Sequence, residues 1–194
     1  MYARKVEALQ ELEGLAQALA QAGLIETYYG DESHVCSEGH VPYGYQFAGE
    51  EVRMEVGKGF RLNCRALIDR QSRLACQATS LKAIDAGFVR ERLDRLSLHI
   101  RQITFVVLDN ASIHKARIIG EQIPFWQERG LYLFYLPPYS PHLNIAETLW
   151  RHLKGGWLRA EDYADPDTLA YALNRCLANV GINLNIKFSP FNAN

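Results

Sequence analysis

The sequence has no apolar run approaching the roughly 20 residues that a helix needs to cross a bilayer, so no membrane span is expected. It has no CxxC pair. Its four cysteines, Cys36, Cys64, Cys76 and Cys176, are too few and too scattered in 194 residues for a disulfide scaffold. It has no surplus of charge: 21 Lys and Arg stand against 22 Asp and Glu, for a net charge of −1, so gross charge does not announce a nucleic-acid partner. It has no internal repeat and no low-complexity tract, which excludes solenoids and long disordered arms. The first residues, MYARKVEALQELEG, lack the apolar core of a secretory signal, and a reduced, cytoplasmic setting is expected. What remains is ordinary globular material, 48% hydrophobic and 22% charged, long enough for one sizeable core.

The elements alternate. Val6, Leu9, Leu12, Leu15 and Leu19 recur at spacings of three and four, which predicts an amphipathic helix over 3–22 ended by Gly23. Ile25–Val35 reads as a strand, with Thr27, Tyr29 and Asp31 on one face and Glu32 on the other. A hairpin follows. Leu62, Cys64, Ala66 and Ile68 alternate with Arg61, Asn63 and Arg65, DRQS turns the chain, and Leu74, Cys76 and Ala78 alternate again. A helix is expected over 81–98, with Ile84, Phe88, Leu93 and Leu96 inward. QITFVVLD (102–109) is a buried strand ending on an acid, and Ser112 caps a helix expected to run to about Glu128 despite Pro124. Leu131–Leu136 is another buried strand, stopped by Pro137, Pro138 and Pro141. Asn144 is the expected N-cap of the next helix, whose apolar stripe is Ile145, Leu149, Leu153 and Trp157. Asp165-Pro166 opens a last helix with Leu169, Leu173, Cys176, Leu177 and Val180 inward, and the polar tail NIKFSPFNAN is expected to be loosely held. Helix-linked buried strands call for parallel pairing and the hairpin for an antiparallel edge. The fold class is therefore α/β, a mixed sheet with helices on both faces.

Three acids stand out by position. Asp31 and Asp109 each fall at the carboxyl end of a strand, where open α/β sheets bind ligands. If those strands are neighbours, about 4.8 Å apart, the carboxylates can share a cation. Glu147, in the first turn of the helix after the next strand, can complete the set. It also has a purely structural reading, because Asn-x-x-Glu is a variant of the capping box. Oxygen-only ligands suit Mg²⁺ or Mn²⁺ rather than zinc. Two such ions about 3.5–4 Å apart can clamp the attacking and leaving oxygens of a phosphodiester.

Three stretches, YYGDESHV (28–35), LDNASIHKAR (108–117) and LPPYSPHLNIAETLWRHLK (136–154), resemble the three acidic motifs of the IS630/Tc1/mariner superfamily of DDE transposases, and most closely those of IS630-type enzymes. The resemblance covers roughly residues 25–180. It implies a ribonuclease-H-like fold, a mixed five-stranded sheet flanked by helices whose first and fourth strands are adjacent. It makes Asp31, Asp109 and Glu147 the catalytic and metal-binding triad for two Mg²⁺ or Mn²⁺ ions. Thirty-seven residues separate Asp109 from Glu147, near the family's mid-thirties spacing. The implied chemistry is strand cleavage at a transposon end, then attack of the 3′-hydroxyl on a TA target. The implied partner is DNA, bound by a homodimer at the nucleoid. Two features depart from the pattern. Asn144 is followed by Ile145 where many relatives have proline, and no pair of short helices reads as a helix-turn-helix before residue 25. A split enzyme with a separate helix-turn-helix subunit, or a truncated one, is the corresponding expectation. The implied organisation is a linker helix over 1–24, the catalytic domain over 25–182 and a tail over 183–194.

Other candidates have both functional and structural readings. His114 is placed to approach the scissile phosphate or to hydrogen-bond locally. Arg151 and Lys154, on the helix of Glu147, are candidate DNA contacts or a solvated face. Six bases between Arg53 and Arg73 make either a phosphate-binding surface or a solvated hairpin. His34, Cys36 and His40 lie close in sequence, but no fourth zinc ligand is evident. Tyr43, Tyr45 and Phe47 can stack on bases, though packing is the simpler role. Two other functions fit the same residues: a ribonuclease-H-like nuclease without strand transfer, and a silent remnant serving as a binding or dimerisation module.

Overall fold

The structure, a computed structural model, describes residues 14–16, 18–37, 48–49, 59–138 and 140–188. Its strands are β1 (Ile25–Cys36), β2 (Arg61–Ile68), β3 (Leu74–Ser80), β4 (Ile103–Leu108) and β5 (Leu131–Tyr135). Its helices are α1 (Ala86–Ser97), the single turn α2 (Arg117–Gly120), α3 (Ile123–Glu128), α4 (Ala146–His152) and α5 (Pro166–Asn179). Residues 14–16 and 18–21 are helical, within the helix expected over 3–22. The five strands form one mixed sheet in the order β3-β2-β1-β4-β5. β1 is antiparallel to β2 and parallel to β4, and β4 is parallel to β5. The hairpin thus extends the sheet on one side of β1, and α1 carries the chain back to the other side.

Strand alternation gives each face its own core. Tyr29, Cys64, Ala66 and Val107 pack beneath α4 and α5, against Leu149, Leu153, Leu169 and Leu173. Tyr28, Leu67, Val106 and Leu108 face the other way, toward Val89, Leu93, Ile119 and Trp126. Among the described residues no helix is long and apolar enough to cross a membrane.

Four local expectations are revised. The helix expected over 81–98 starts only at Ala86, because the Asp85 carboxylate accepts the Phe88 N–H at 2.8 Å and fixes the start there. The helix expected from Ser112 to Glu128 is broken into a 3₁₀ turn, α2 and α3. Pro124 sits in the first turn of α3, the one place in a helix where its missing N–H is tolerated. α4 gives way to a π-helical turn over Leu153–Trp157, which contains Gly155 and Gly156, while Trp157 still packs, partly buried, against the core of Ile145, Leu149 and Leu153. The tail is anchored as far as it is described. Ile186 is buried, its N–H donates to Ser72 Oγ at 2.9 Å, and Ser72 Oγ donates to the Ile186 carbonyl at 3.1 Å.

Gly181 makes that anchoring possible. Its φ is +78°, and a Cβ there would lie 2.6 Å from the Ser72 carbonyl oxygen, a backbone atom that cannot swing away. Gly181→Ala is expected to lower stability by at least about 2 kcal/mol, combining the left-handed penalty with the clash. Thermal unfolding should register this as a Tm drop of roughly 4–8 °C for a chain of this size.

Candidate active site

The register of the sheet brings two of the acids level. Tyr29 of β1 pairs with Val107 of β4, and Asp31 and Asp109 each lie two residues further on, beyond the same face as their paired neighbours. β5 ends beside them, where the Leu136 N–H donates to the Leu108 carbonyl at 2.8 Å before Pro137 and Pro138 turn the chain away.

Glu147 arrives by a different route. Asn144 is buried, its Nδ2 donates to the Gly30 carbonyl at 3.0 Å, and its Oδ1 accepts the Ala146 N–H at 3.1 Å. One amide thus caps α4 and ties its start to the residue before Asp31. The cap lies one residue from the expected arrangement: Asn144 precedes the formal N-cap, Ile145. The Glu147 side chain is exposed, and among the described residues it makes no hydrogen bond or ion pair, so it closes no capping box. Asp31, Asp109 and Glu147 line one open cavity of about 480 Å³, together with Asn110, Lys115 and Asn144.

The electrostatics of the acids diverge. Burial, together with the nearby charges of Glu147 and Asp109, raises the Asp31 carboxyl to about 7. The buried indole N–H of Trp150 and the His114 ring favour its ionised form, although the indole lies outside hydrogen-bond geometry. Asp109 moves the other way. A hydrogen bond from His114, assisted by the Ala111 N–H at 3.0 Å, holds its carboxyl below the ordinary range against the opposing effect of burial.

His114 is not a surface group. It is fully buried, with Nδ1 at 2.7 Å from Asp109 Oδ1 and Nε2 at 3.1 Å from the Glu32 carboxylate. Its expected approach to a phosphate is therefore replaced by the local hydrogen bond. Arg151 is exposed, and Lys154 lies toward β1 and β2, where its charge adds to the burial and the Arg61 charge that lower the pKa of His34 and partly opposes the burial that raises that of Cys64. Neither lines the cavity. The cation that does is Lys115, whose ammonium also sits 5.8 Å from the Tyr135 ring centre. Its place directly after the His of the second motif was the available signal.

The basic hairpin divides. Arg65 is fully buried and ion-pairs with Glu32, so it belongs neither to a solvated face nor to a phosphate surface. Arg73 pairs with Asp69, and Arg61 is exposed beside His34 and Asn63. Arg53, Lys58, His40, Tyr43, Tyr45 and Phe47 lie outside the described residues. Among the described residues no three His, Cys, Asp or Glu side chains form a ready-made metal cluster. The cavity nevertheless presents three carboxylates, the oxygen ligands that hard divalent cations take, and the charge of one of them is disfavoured by burial and by the other two.

A mixed five-stranded sheet with β1 parallel to β4 and helices on both faces is the ribonuclease-H-like fold. The family model for the DDE superfamily endonuclease matches residues 26–170, and the chain belongs to that family. Among solved structures, the Mos1 strand transfer complex matches with a TM-score of 0.60 at 15% identity, over 89% of this chain and 56% of that one. The Mos1 transposase paired-end complex with the left transposon end gives 0.59 at 17%, over 86% and 52%. The catalytic core domain of BIV integrase gives 0.50 at 15%, over 82% and 86%. At these identities the likeness is one of fold, and the chain spans about half the length of the Mos1 chains it matches. No curated protein sequence matches it.

Proposed function

We propose that this chain is the catalytic domain of an IS630-type DDE transposase of the Tc1/mariner class, which cleaves DNA at transposon ends and joins the freed 3′-hydroxyl to a TA target. The observation that carries the reading is the convergence of Asp31, Asp109 and Glu147, far apart in sequence, on one cavity at the carboxyl end of β4, where β1, with Asp31 in mid-strand, runs on past its pairing with β4. These three acids would hold the Mg²⁺ or Mn²⁺ ions, two by the family's pattern. When bound, the ions supply Lewis acidity toward the attacking and leaving oxygens.

The remaining roles fall to the chain itself. Asp109 stays ionised and fixed by His114 and the Ala111 N–H. Asp31, titrating near neutrality in the metal-free chain, holds a proton that a cation displaces. Lys115 places positive charge at the cavity for a DNA phosphate. Arg151 and Lys154 remain candidates for phosphate contacts further along the duplex. A homodimer on DNA, and a helix-turn-helix carried by another segment or subunit, belong to the same reading.

The wild-type chain is expected to nick DNA with Mg²⁺ or Mn²⁺. Asp109→Asn and Glu147→Gln are expected to lose at least about a thousandfold of that activity, the equivalent of several kcal/mol of lost charge stabilisation. Equal nicking by the variants would sink the proposal. A pre-cleaved 3′-hydroxyl end tests the second step. Joined product supports transposition, and hydrolysis alone reassigns the chain as a ribonuclease-H-like nuclease.

A further inference from the structure

The proposed reaction leaves the ion pair behind His114 without a role. Arg65 and His114 are completely buried, and the Glu32 side chain between them is only 18% exposed. A buried guanidinium is a poor source of stability: desolvation offsets its ion pair, and apolar replacements of such pairs are often neutral or better. Two of the Arg65 nitrogens, Nε and Nη2, also lack a hydrogen-bond partner among the described residues. The core alone therefore does not account for these residues.

Their connections run in one direction. Asp31 and Glu32 are consecutive on β1, so they leave through opposite faces of the sheet. Arg65 lies directly across from Glu32 in the β1–β2 register, and its Nη1 ion-pairs with Glu32 Oε1. His114 Nε2 stands 3.1 Å from the same carboxylate and 3.3 Å from Arg65 Nη1, and as the ring's unprotonated nitrogen it accepts from the guanidinium. The other ring nitrogen, Nδ1, stands 2.7 Å from Asp109 Oδ1, and because an ionised carboxylate only accepts, Nδ1 carries the proton. The Ala111 N–H donates to that same Oδ1 at 3.0 Å. Oδ1 is thus doubly occupied, and Oδ2 is the oxygen left to a ligand.

We propose that Arg65, Glu32 and His114 are positioning residues: the buried ion pair locks the imidazole, and the imidazole locks Asp109 with only Oδ2 left to bind a divalent cation. The inference rests on the reading of Asp109 as a metal ligand and assigns this chain's adjacent acids two separate tasks. Asp31 serves the cavity, and Glu32 serves the support behind it. Hydrogen-bonded supports of this kind typically govern about 10–100-fold in metal affinity.

The test is Mn²⁺ binding to the full chain, followed by electron paramagnetic resonance of the free ion, with Tm recorded for each protein. Two variants are needed. His114→Leu removes the bridge and leaves the Glu32–Arg65 pair intact. The double variant Glu32→Gln with Arg65→Met replaces the pair by neutral residues of similar volume, and it carries the test if His114→Leu unfolds. Both variants are expected to bind Mn²⁺ about 10–100-fold more weakly, with the double variant keeping its Tm. In nicking assays the half-saturating Mn²⁺ concentration should move more than the plateau rate, a split that a merely structural defect would not produce. Wild-type Mn²⁺ affinity in both variants, with Asp109→Asn still weakened, overturns the positioning role alone. Failure of the wild-type chain to bind Mn²⁺ overturns it together with the metal-site reading on which it rests.

Discussion

Asp31→Asn is expected to do two opposite things: abolish metal-dependent nicking and make the metal-free protein more stable. Asp31 sits where burial, Glu147 and Asp109 all disfavour its charge, and its carboxyl rises to about 7. His114 and Trp150 act the other way and do not outweigh them. The folded chain therefore holds a proton that the unfolded chain releases near pH 4. The stability contributed by that proton is full below pH 4 and is lost as the pH rises toward 7. A shift of this size corresponds to something on the order of 4 kcal/mol. Asparagine carries no charge at any pH, so the variant escapes the loss. In EDTA at pH 8 its Tm should exceed that of wild type by at least about 5 °C, and the gap should close near pH 4. Added Mn²⁺ should raise the wild-type Tm at pH 8 and leave the variant nearly unmoved. A Tm difference that ignores both pH and metal would show that the Asp31 carboxylate is not the strained group described here. Trading stability for a reactive cluster of like charges is a common arrangement in active sites.

Much of this site was legible in the sequence, because strand alternation and strand ends are local properties. The phase of Ile25–Val35 alone separates Asp31 from Glu32, and the proline run after Leu136 alone fixes where the third acid must begin. Adjacency of β1 and β4 is not local. Three elements lie between them, and nothing in their pattern states that the hairpin extends the sheet on one side only. That knowledge came from the resemblance of the motifs. Arg65 was misread for a related reason. Arg61, Asn63 and Arg65 alternate with apolar residues and so look like a solvated face, yet Leu67 continues the same face as fully buried core. The face passes from water to interior between Asn63 and Leu67, and a charge at that boundary needs an opposite charge across the strand. Glu32 was the residue to look for. The local hydrogen bond is one of the two sequence readings of His114, but its depth is not legible: the expected long helix is interrupted at Ala116, where the backbone is extended, and the short 3₁₀ turn before it leaves the ring inside. The anchored tail was missed because Ile186 stands alone in polar sequence, and one buried side chain leaves no periodic signal.

Asn144→Ala is expected to have the second large effect, on both stability and activity. Asn144 supplies a donor to the Gly30 carbonyl and an acceptor to the Ala146 N–H, both in buried positions. Alanine leaves both backbone groups without these partners, which costs about 2–4 kcal/mol in total, or roughly 5–12 °C in Tm. The effect on catalysis follows from which two elements are joined. Gly30 precedes the first acid and Ala146 precedes the third, so one side chain sets the distance between the Asp31 strand and the Glu147 helix. Misplacement by about 1 Å can reduce a rate a hundredfold, and a loss of at least that size is expected in the nicking assay. Asn144→Asp separates the two roles. Its carboxylate still accepts from Ala146, but it cannot donate to Gly30 and it adds a fourth negative charge beside Asp31. The cap survives while the tie to the strand does not. If the tie matters, the aspartate variant should be as slow as the alanine variant, and its metal-free stability should fall as pH rises. Wild-type nicking by Asn144→Ala, or by Asn144→Asp, would mean that the packing of Leu149 and Leu153 alone is enough to hold Glu147 over the sheet.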